Sequence, residues 1–330
     1  MKKKMLGIAL TIMIASFLVS CGEHIGINRA EEVNESETGV NLTGERSEIE
    51  TDTGEELQVM NSNDSEEKIL LARIVYNEPD GTSAVKYEYE YDSLGNKTRE
   101  LRYDSDGSSG SRKEWKYDTS GNKISEIYYR ADGRIDNWYE WEYDESGNEI
   151  AWTSYASDGS IRNRSEWEYD TAGNRIKEND YDSNGRFYRW YEYEYDESGD
   201  LIKENAYNSE GNIYQWEENE YDVHGNLVRT TSYNPDGSVW MRGEYEYDIS
   251  DNRTKETWYN QHNRIDEWEE WEYDAFDNCI RHIWYESETE IHDRWEYEYD
   301  TSGNCTKEIL YNPDGSIMFW YEYEYELLVQ

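Results

Sequence analysis

The sequence predicts an all-β protein made of tandem 26-residue β-hairpins joined into a long, curled antiparallel meander sheet. Three observations predict it. A tyrosine returns every 26 residues from Tyr91 to Tyr325 without a gap, turn residues stand at both ends of every interval, and rings alternate with carboxylates between the turns. Composition agrees: apolar area comes mainly from 32 Tyr and 14 Trp rather than from aliphatic side chains, and these ring types suit pleated strands.

The chain opens with Lys2, Lys3 and Lys4, followed by an apolar stretch from Met5 to Val19 that is too short to span a bilayer as a helix. It ends at Leu18-Val19-Ser20-Cys21-Gly22, a run that resembles the bacterial lipobox. The resemblance implies that residues 1–20 are a lipoprotein signal peptide and that Cys21 carries the lipid. The expected location is then the cell envelope, lipid-anchored and facing outside the cytoplasm. Residues 21–68 are rich in carboxylates with Gly, Ser, Thr and Asn between them and almost no aromatic residue. Such a segment buries too little apolar surface to order itself and reads as an extended, self-repelling tether.

Residues 69–330 form the repeat domain. A second tyrosine follows each of the first nine repeat tyrosines after 12 residues, from Tyr103 to Tyr311, so each unit holds two strands. Asn234-Pro235-Asp236-Gly237 and Asn312-Pro313-Asp314-Gly315 place Asn, Pro and Gly as a type I turn with a left-handed glycine requires. The other reversal is Asp-x-x-Gly-Asn, as in Asp144-Glu145-Ser146-Gly147-Asn148. The longer strand alternates cleanly, as in Tyr191-Glu192-Tyr193-Glu194-Tyr195, which gives one aromatic and one acidic face. Eight residues before the tyrosine, Ile135, Ile161, Phe187, Ile213, Val239, Ile265, Ile291 and Ile317 share its parity and are expected on the core face. The shorter strand carries Ile124, Ile150, Ile176 and Ile202, but its closing tyrosine falls on the opposite parity, so either a bulge intervenes or both faces are partly covered. Terminal strands near Ile69 and Val329 are expected to be open edges.

Units such as Tyr195-Asp196-Glu197-Ser198-Gly199-Asp200 and Tyr299-Asp300-Thr301-Ser302-Gly303-Asn304 resemble the YD-repeat, or rearrangement-hotspot (RHS), family, over roughly residues 69–330. That resemblance implies hairpins joined into a sheet that spirals into a shell, which in large members encloses a toxic C-terminal domain. Here the last repeat is followed only by Leu327-Leu328-Val329-Gln330, so the architecture is expected to carry over and the cargo role is not.

The chemistry points away from catalysis. A net charge of −43 repels phosphate backbones, which argues against nucleic acid as a partner. Glutamates recur in every unit, three residues before the tyrosine, from Glu88 to Glu322. A translationally repeated environment does not drive two carboxyl pKa values apart, as acid–base catalysis needs. Histidines lack metal spacing, and Asp180-Tyr181-Asp182-Ser183-Asn184-Gly185 lacks the distal Glu of a calcium loop, so neither metal nor cofactor is expected. Cys279 and Cys305 occupy equivalent positions in neighbouring units and are expected as free thiols, because an antiparallel strand separates them. Trp138, Trp190, Trp216, Trp268 and Trp320 share one position, five residues before the tyrosine, which Arg112, Arg164, Arg242 and Arg294 fill elsewhere. Exposed, these rings could stack on sugars or cationic groups; alternatively they cover the second side of a single-layer sheet. The expectation is a non-catalytic, surface-anchored repeat scaffold for an unknown protein or glycan ligand, with a carbohydrate- or choline-binding wall module as the alternative.

Overall fold

A computed structural model describes residues 69–327 apart from 105 and 288. The signal segment, Cys21 and the acidic tether lie outside the described residues. Twenty strands, numbered in chain order, run from β1 (Ile69–Asn77) and β2 (Ser83–Tyr91) to β19 (Cys305–Tyr311) and β20 (Ile317–Leu327). Each odd-numbered strand pairs antiparallel with the even-numbered strands on either side, as the sequence predicts.

The turns form as their residues dictate. In Asn234-Pro235-Asp236-Gly237 the Gly237 N–H donates to the Asn234 carbonyl at 2.9 Å and the Asn234 N–H to the Ser238 carbonyl at 2.9 Å. Gly237 sits at φ +83°, which a side chain resists and glycine does not. In the Asp-x-x-Gly-Asn reversals the Asp carboxylate accepts from backbone N–H groups two and four residues on, as Asp144 does from Ser146 and Asn148 at 2.9 and 2.8 Å. Two units put Asp251 and Asp277 at the left-handed position, φ 63° and 62°. There each aspartate accepts the amide of the asparagine one unit earlier, Asn226 at 2.8 Å and Asn252 at 2.9 Å, a bond glycine cannot make.

Two bulges per unit correct the expected faces. Between β10 (Phe187–Tyr195) and β11 (Leu201–Asn208) the register steps from Glu194↔Lys203 to Tyr195↔Leu201, leaving Ile202 extra. Between β11 and β12 (Ile213–Tyr221) it steps from Ala206↔Gln215 to Tyr207↔Ile213, leaving Tyr214 extra. The second step carries the aliphatic residue across the sheet to face the second tyrosine. Ile135, Ile161, Phe187, Ile213, Val239 and Ile317 are accordingly 37–42% exposed rather than core. The first step, which leaves Ile202 extra on the short strand, explains the parity of the second tyrosine.

The expected open edges do not exist among the described strands. β1 and β20 pair antiparallel from Ile69↔Leu327 to Asn77↔Trp320, so the meander is a closed barrel. Each bulge sharpens local twist and bend, and by the twentieth strand the accumulated curvature brings the two edges together, where each satisfies the other's backbone groups. Twenty strands at about 4.8 Å spacing give a perimeter of roughly 100 Å, beyond the size that side chains alone fill. All close backbone approaches between strands are between ladder neighbours, and none crosses the ring.

The two faces of the wall differ. Glutamates next to the repeat tyrosine, such as Glu90, Glu142 and Glu220, have side chains 56–60% exposed and face outward. On the opposite face Glu100, Glu126 and Glu256 are 8–13% exposed among rings. Burial pushes the phenols of Tyr89, Tyr193 and Tyr245 on that face far up, as expected for the concave, crowded side.

Candidate functional site

The repeat tyrosine has a structural task. In all ten units its phenol donates to a backbone carbonyl 20 residues upstream, at 2.6–2.9 Å, from Tyr91 on Leu71 to Tyr325 on Cys305. That carbonyl lies at the start of the preceding short strand, where the ladder to the next long strand has ended. Each phenol therefore ties its unit to the one before.

The five predicted tryptophans lie on the outer face at one register position, and their rings already have partners. Trp138, Trp190, Trp216 and Trp268 stack on Tyr155, Tyr207, Tyr233 and Tyr285 across the hairpin, with centroids 3.7–5.1 Å apart and planes within 13°. Where arginine replaces tryptophan, its guanidinium takes the same place: Arg112 over Tyr129, Arg242 over Tyr259 and Arg294 over Tyr311 at 3.7–4.4 Å. A lysine closes in on Trp190, Trp268 and Trp320 as well, at 4.7–5.5 Å. The second tyrosines in turn donate to the recurrent glutamates, Tyr207 to Glu192 at 3.0 Å and Tyr311 to Glu296 at 2.8 Å. Arg164 ties Glu142 and Glu166 at 2.9 and 3.0 Å, relieving the glutamate ladder across strands.

The other candidates resolve into local structure. Neither Cys279 nor Cys305 is in a disulfide; their thiols donate to the carbonyls of Arg281 and Lys307 at 3.5 Å. Asp180 is held by Arg189 at 2.5 Å and by the Ser165 hydroxyl at 2.5 Å, while Asp182 serves the turn. Among the described residues no group of three or more His, Cys, Asp or Glu is placed to hold a metal ion.

The inner face carries an arrangement that the sequence reading missed. Along one level, two residues before the repeat tyrosine, stand rings such as Trp115, Trp141, Trp167, Tyr193, Tyr245 and Trp271. Beside them, nine residues after the tyrosine, stand Glu100, Glu126, Glu178, Glu204, Glu256 and Glu308. A cation three residues earlier neutralises several of these acids and covers a ring as well. Lys123 lies 3.1 Å from Glu126 and 4.1 Å above Trp141. Arg175 lies 3.6 Å from Glu178 and 4.8 Å from Trp167, and Arg253 lies 2.8 Å from Glu256 and 4.6 Å from Trp271.

The pattern breaks between β11 and β13 (Leu227–Tyr233). Leu201 and Leu227 replace the cation, Asn219 replaces the ring, and Glu217 stands directly opposite Glu204 on the neighbouring strand. Burial, with Glu217 and Glu178 nearby, pushes Glu204 up to about 7, although Arg189 pulls the other way. Glu126 shows what the missing cation does: burial pushes it up too, but Tyr128, Lys123 and Trp115 hold it below its ordinary value. The Lys/Arg-x-x-Glu spacing at Lys97, Lys123, Arg175 and Arg253, kept without its cation at Leu201-Ile202-Lys203-Glu204 and at Cys305-Thr306-Lys307-Glu308, was the signal available in the sequence.

The geometry defines a closed antiparallel barrel of hairpin repeats. No family model matches the chain, and no curated protein matches it. Solved structures similar to it include TcdB2-TccC3, at 14% identity and TM-score 0.34 over 74% of this chain, and TcdB2-TccC3 in complex with Cdc42, at 13% and 0.36 over 76%. The chain spans 17% of the length of each of those chains. A porin-like protein from Bacteroides uniformis is similar at 14% identity and TM-score 0.33, over 78% of this chain and 98% of that one.

Proposed function

We propose that the chain is a non-catalytic binding scaffold, displayed outside the cytoplasm on a lipid at Cys21. The observation that carries this reading is the sameness of the wall: unit after unit repeats the phenol-to-carbonyl tie, the outer stack and the inner ring-and-acid belt. Catalysis by paired carboxyl groups needs two that flank a bond. Glu204 and Glu217, register partners on adjacent strands, project from one wall side by side. The wall also argues for an anchor rather than a spanning barrel. Both faces carry charge, and a basic residue such as Arg242 on a lipid-facing strand costs about 2–4 kcal/mol at the bilayer midplane.

Two measurements test the display. Incorporation of a fatty-acid analogue into the wild-type chain and its loss in Cys21→Ser are expected, together with cleavage of the repeat domain by protease added to intact cells. An unlipidated, protease-protected chain in the wild type would overturn the reading. The alternative, a glycan- or choline-binding wall module, relies on the flat faces of the five tryptophans, and at Trp190 and Trp268 both Tyr and Lys already occupy them. Replacing all five with arginine keeps the outer stack. Glycan-array binding that disappears in that variant would favour the alternative.

A further inference from the structure

We propose that the inner-face cluster of Glu204, Glu217, Asn219 and Thr230 binds a primary ammonium group. The first observation is an accounting of charge. In three other units Lys123, Arg175 and Arg253 neutralise the acid three residues on; here that residue is Leu201, as it is Cys305 before Glu308, but only Glu204 both lacks the cation and faces a second carboxylate, Glu217, in the register, whereas Glu308 faces Tyr321. The nearby cation, Arg189, is engaged by Asp180 at 2.5 Å. Two carboxylates are thus brought together without a counter-charge of their own.

The second observation is independent of charge. Thr230, only 4% exposed, has a hydroxyl oxygen without a hydrogen-bond partner, and so does the amide oxygen of Asn219, its register partner. Asn219 is oriented by its own amide nitrogen, which donates to the Leu201 carbonyl at 3.1 Å. That bond turns the carbonyl oxygen of the amide away from Leu201. Buried acceptors left without donors are costly, and native proteins rarely keep them. Glu217 accepts the Ser232 hydroxyl on one oxygen at 2.9 Å. Glu204 and Glu217 face each other at one ladder step and Asn219 and Thr230 at the next on the same face, with the diagonal pairs Glu204–Asn219 and Glu217–Thr230 about 7–8 Å apart at Cβ, so the four acceptors line one stretch of wall.

The ligand follows from the set. All the groups in need of a partner can accept hydrogen bonds, two of them are anionic, and none is a fixed donor. An alkylammonium offers three N–H donors and one positive charge. A divalent metal is less well served, since no group of three or more His, Cys, Asp or Glu converges here among the described residues. The same head group occurs in free polyamines and in lysine side chains.

The inference rests on the reading of the chain as a binding scaffold but not on its display. Lipidation could fail without touching it. Calorimetric titration of the purified full chain at pH 8 uses 1,5-diaminopentane, Nα-acetyl-lysine amide and tetramethylammonium. Saturable binding of at least one primary amine is expected, weakened at least tenfold in Glu204→Gln and in Glu217→Gln. Tetramethylammonium, which has charge but no N–H, is expected to bind at least tenfold more weakly. Leu201→Arg places a guanidinium where Arg175 stands relative to Glu178, and should abolish binding while the barrel stays folded. A preference for the diamine assigns free amines, and a preference for the blocked lysine assigns a protein side chain. No saturable binding of either amine, or binding unchanged in Glu204→Gln and Leu201→Arg, or tetramethylammonium bound equally well, overturns the proposal.

Discussion

At the scale of single residues, the repeat tyrosine and Glu204 show opposite uses of a buried polar group. The Tyr195 phenol donates to the Arg175 carbonyl at 2.8 Å, so Tyr195→Phe removes one hydrogen bond and leaves a carbonyl without it. A loss of about 1 kcal/mol is expected, read as a lower denaturation midpoint with an unchanged m-value. Glu204 is held near 7 against an ordinary value of 4.5, which means that the folded state binds its proton more tightly than the unfolded chain does. Its contribution is therefore neutral below about 4.5, turns against folding as pH rises through that window, and is fully unfavourable above 7. Glu204→Gln should stabilise the protein at pH 8 by on the order of 1–3 kcal/mol and by nearly nothing at pH 4. Urea melts at the two pH values check this, and an equal effect at both would refute it.

At the scale of strands and turns, the position held by tryptophan or arginine is defined by the tyrosine it stacks on. Trp190→Arg is expected to change stability by less than about 1 kcal/mol, whereas Trp190→Ala loses the stack on Tyr207 and should cost about 1–2 kcal/mol. Thermal melts of the two variants compare them directly. The strands and turns were legible because similar local chemistry recurs along the whole domain: turns such as Asn-Pro-Asp-Gly and Asp-x-x-Gly-Asn fix the reversals, and alternation as at Tyr191 to Tyr195 fixes the strands. The faces were less legible. Parity counting assumes an unbroken pleat, and the extra residues, such as Ile202 and Tyr214, shift everything beyond them to the other side. The inner cluster lay hidden for a related reason, since the meaning of Leu201, Asn219 and Thr230 depends on which residues the register sets beside them.

At the scale of the molecule, closure depends on small bends summed over every strand, which no local motif records. β1 carries the consequence. A chain lacking residues 69–77 should expose two long unpaired edges, on β2 and β20, and associate in a concentration-dependent way that light scattering detects. An unaltered monomer would show that the seam contributes nothing to solubility. The field of the whole chain, at −43, opposes compaction, so added salt should raise the melting temperature. The seam also imposes a rule of parity. β1 and β20 meet antiparallel only because the number of strands between them is even, so a ring of this kind grows or shrinks by recombination in whole hairpins, and a duplication of half a unit would bring two strands running the same way to the joint, where this ladder could not form.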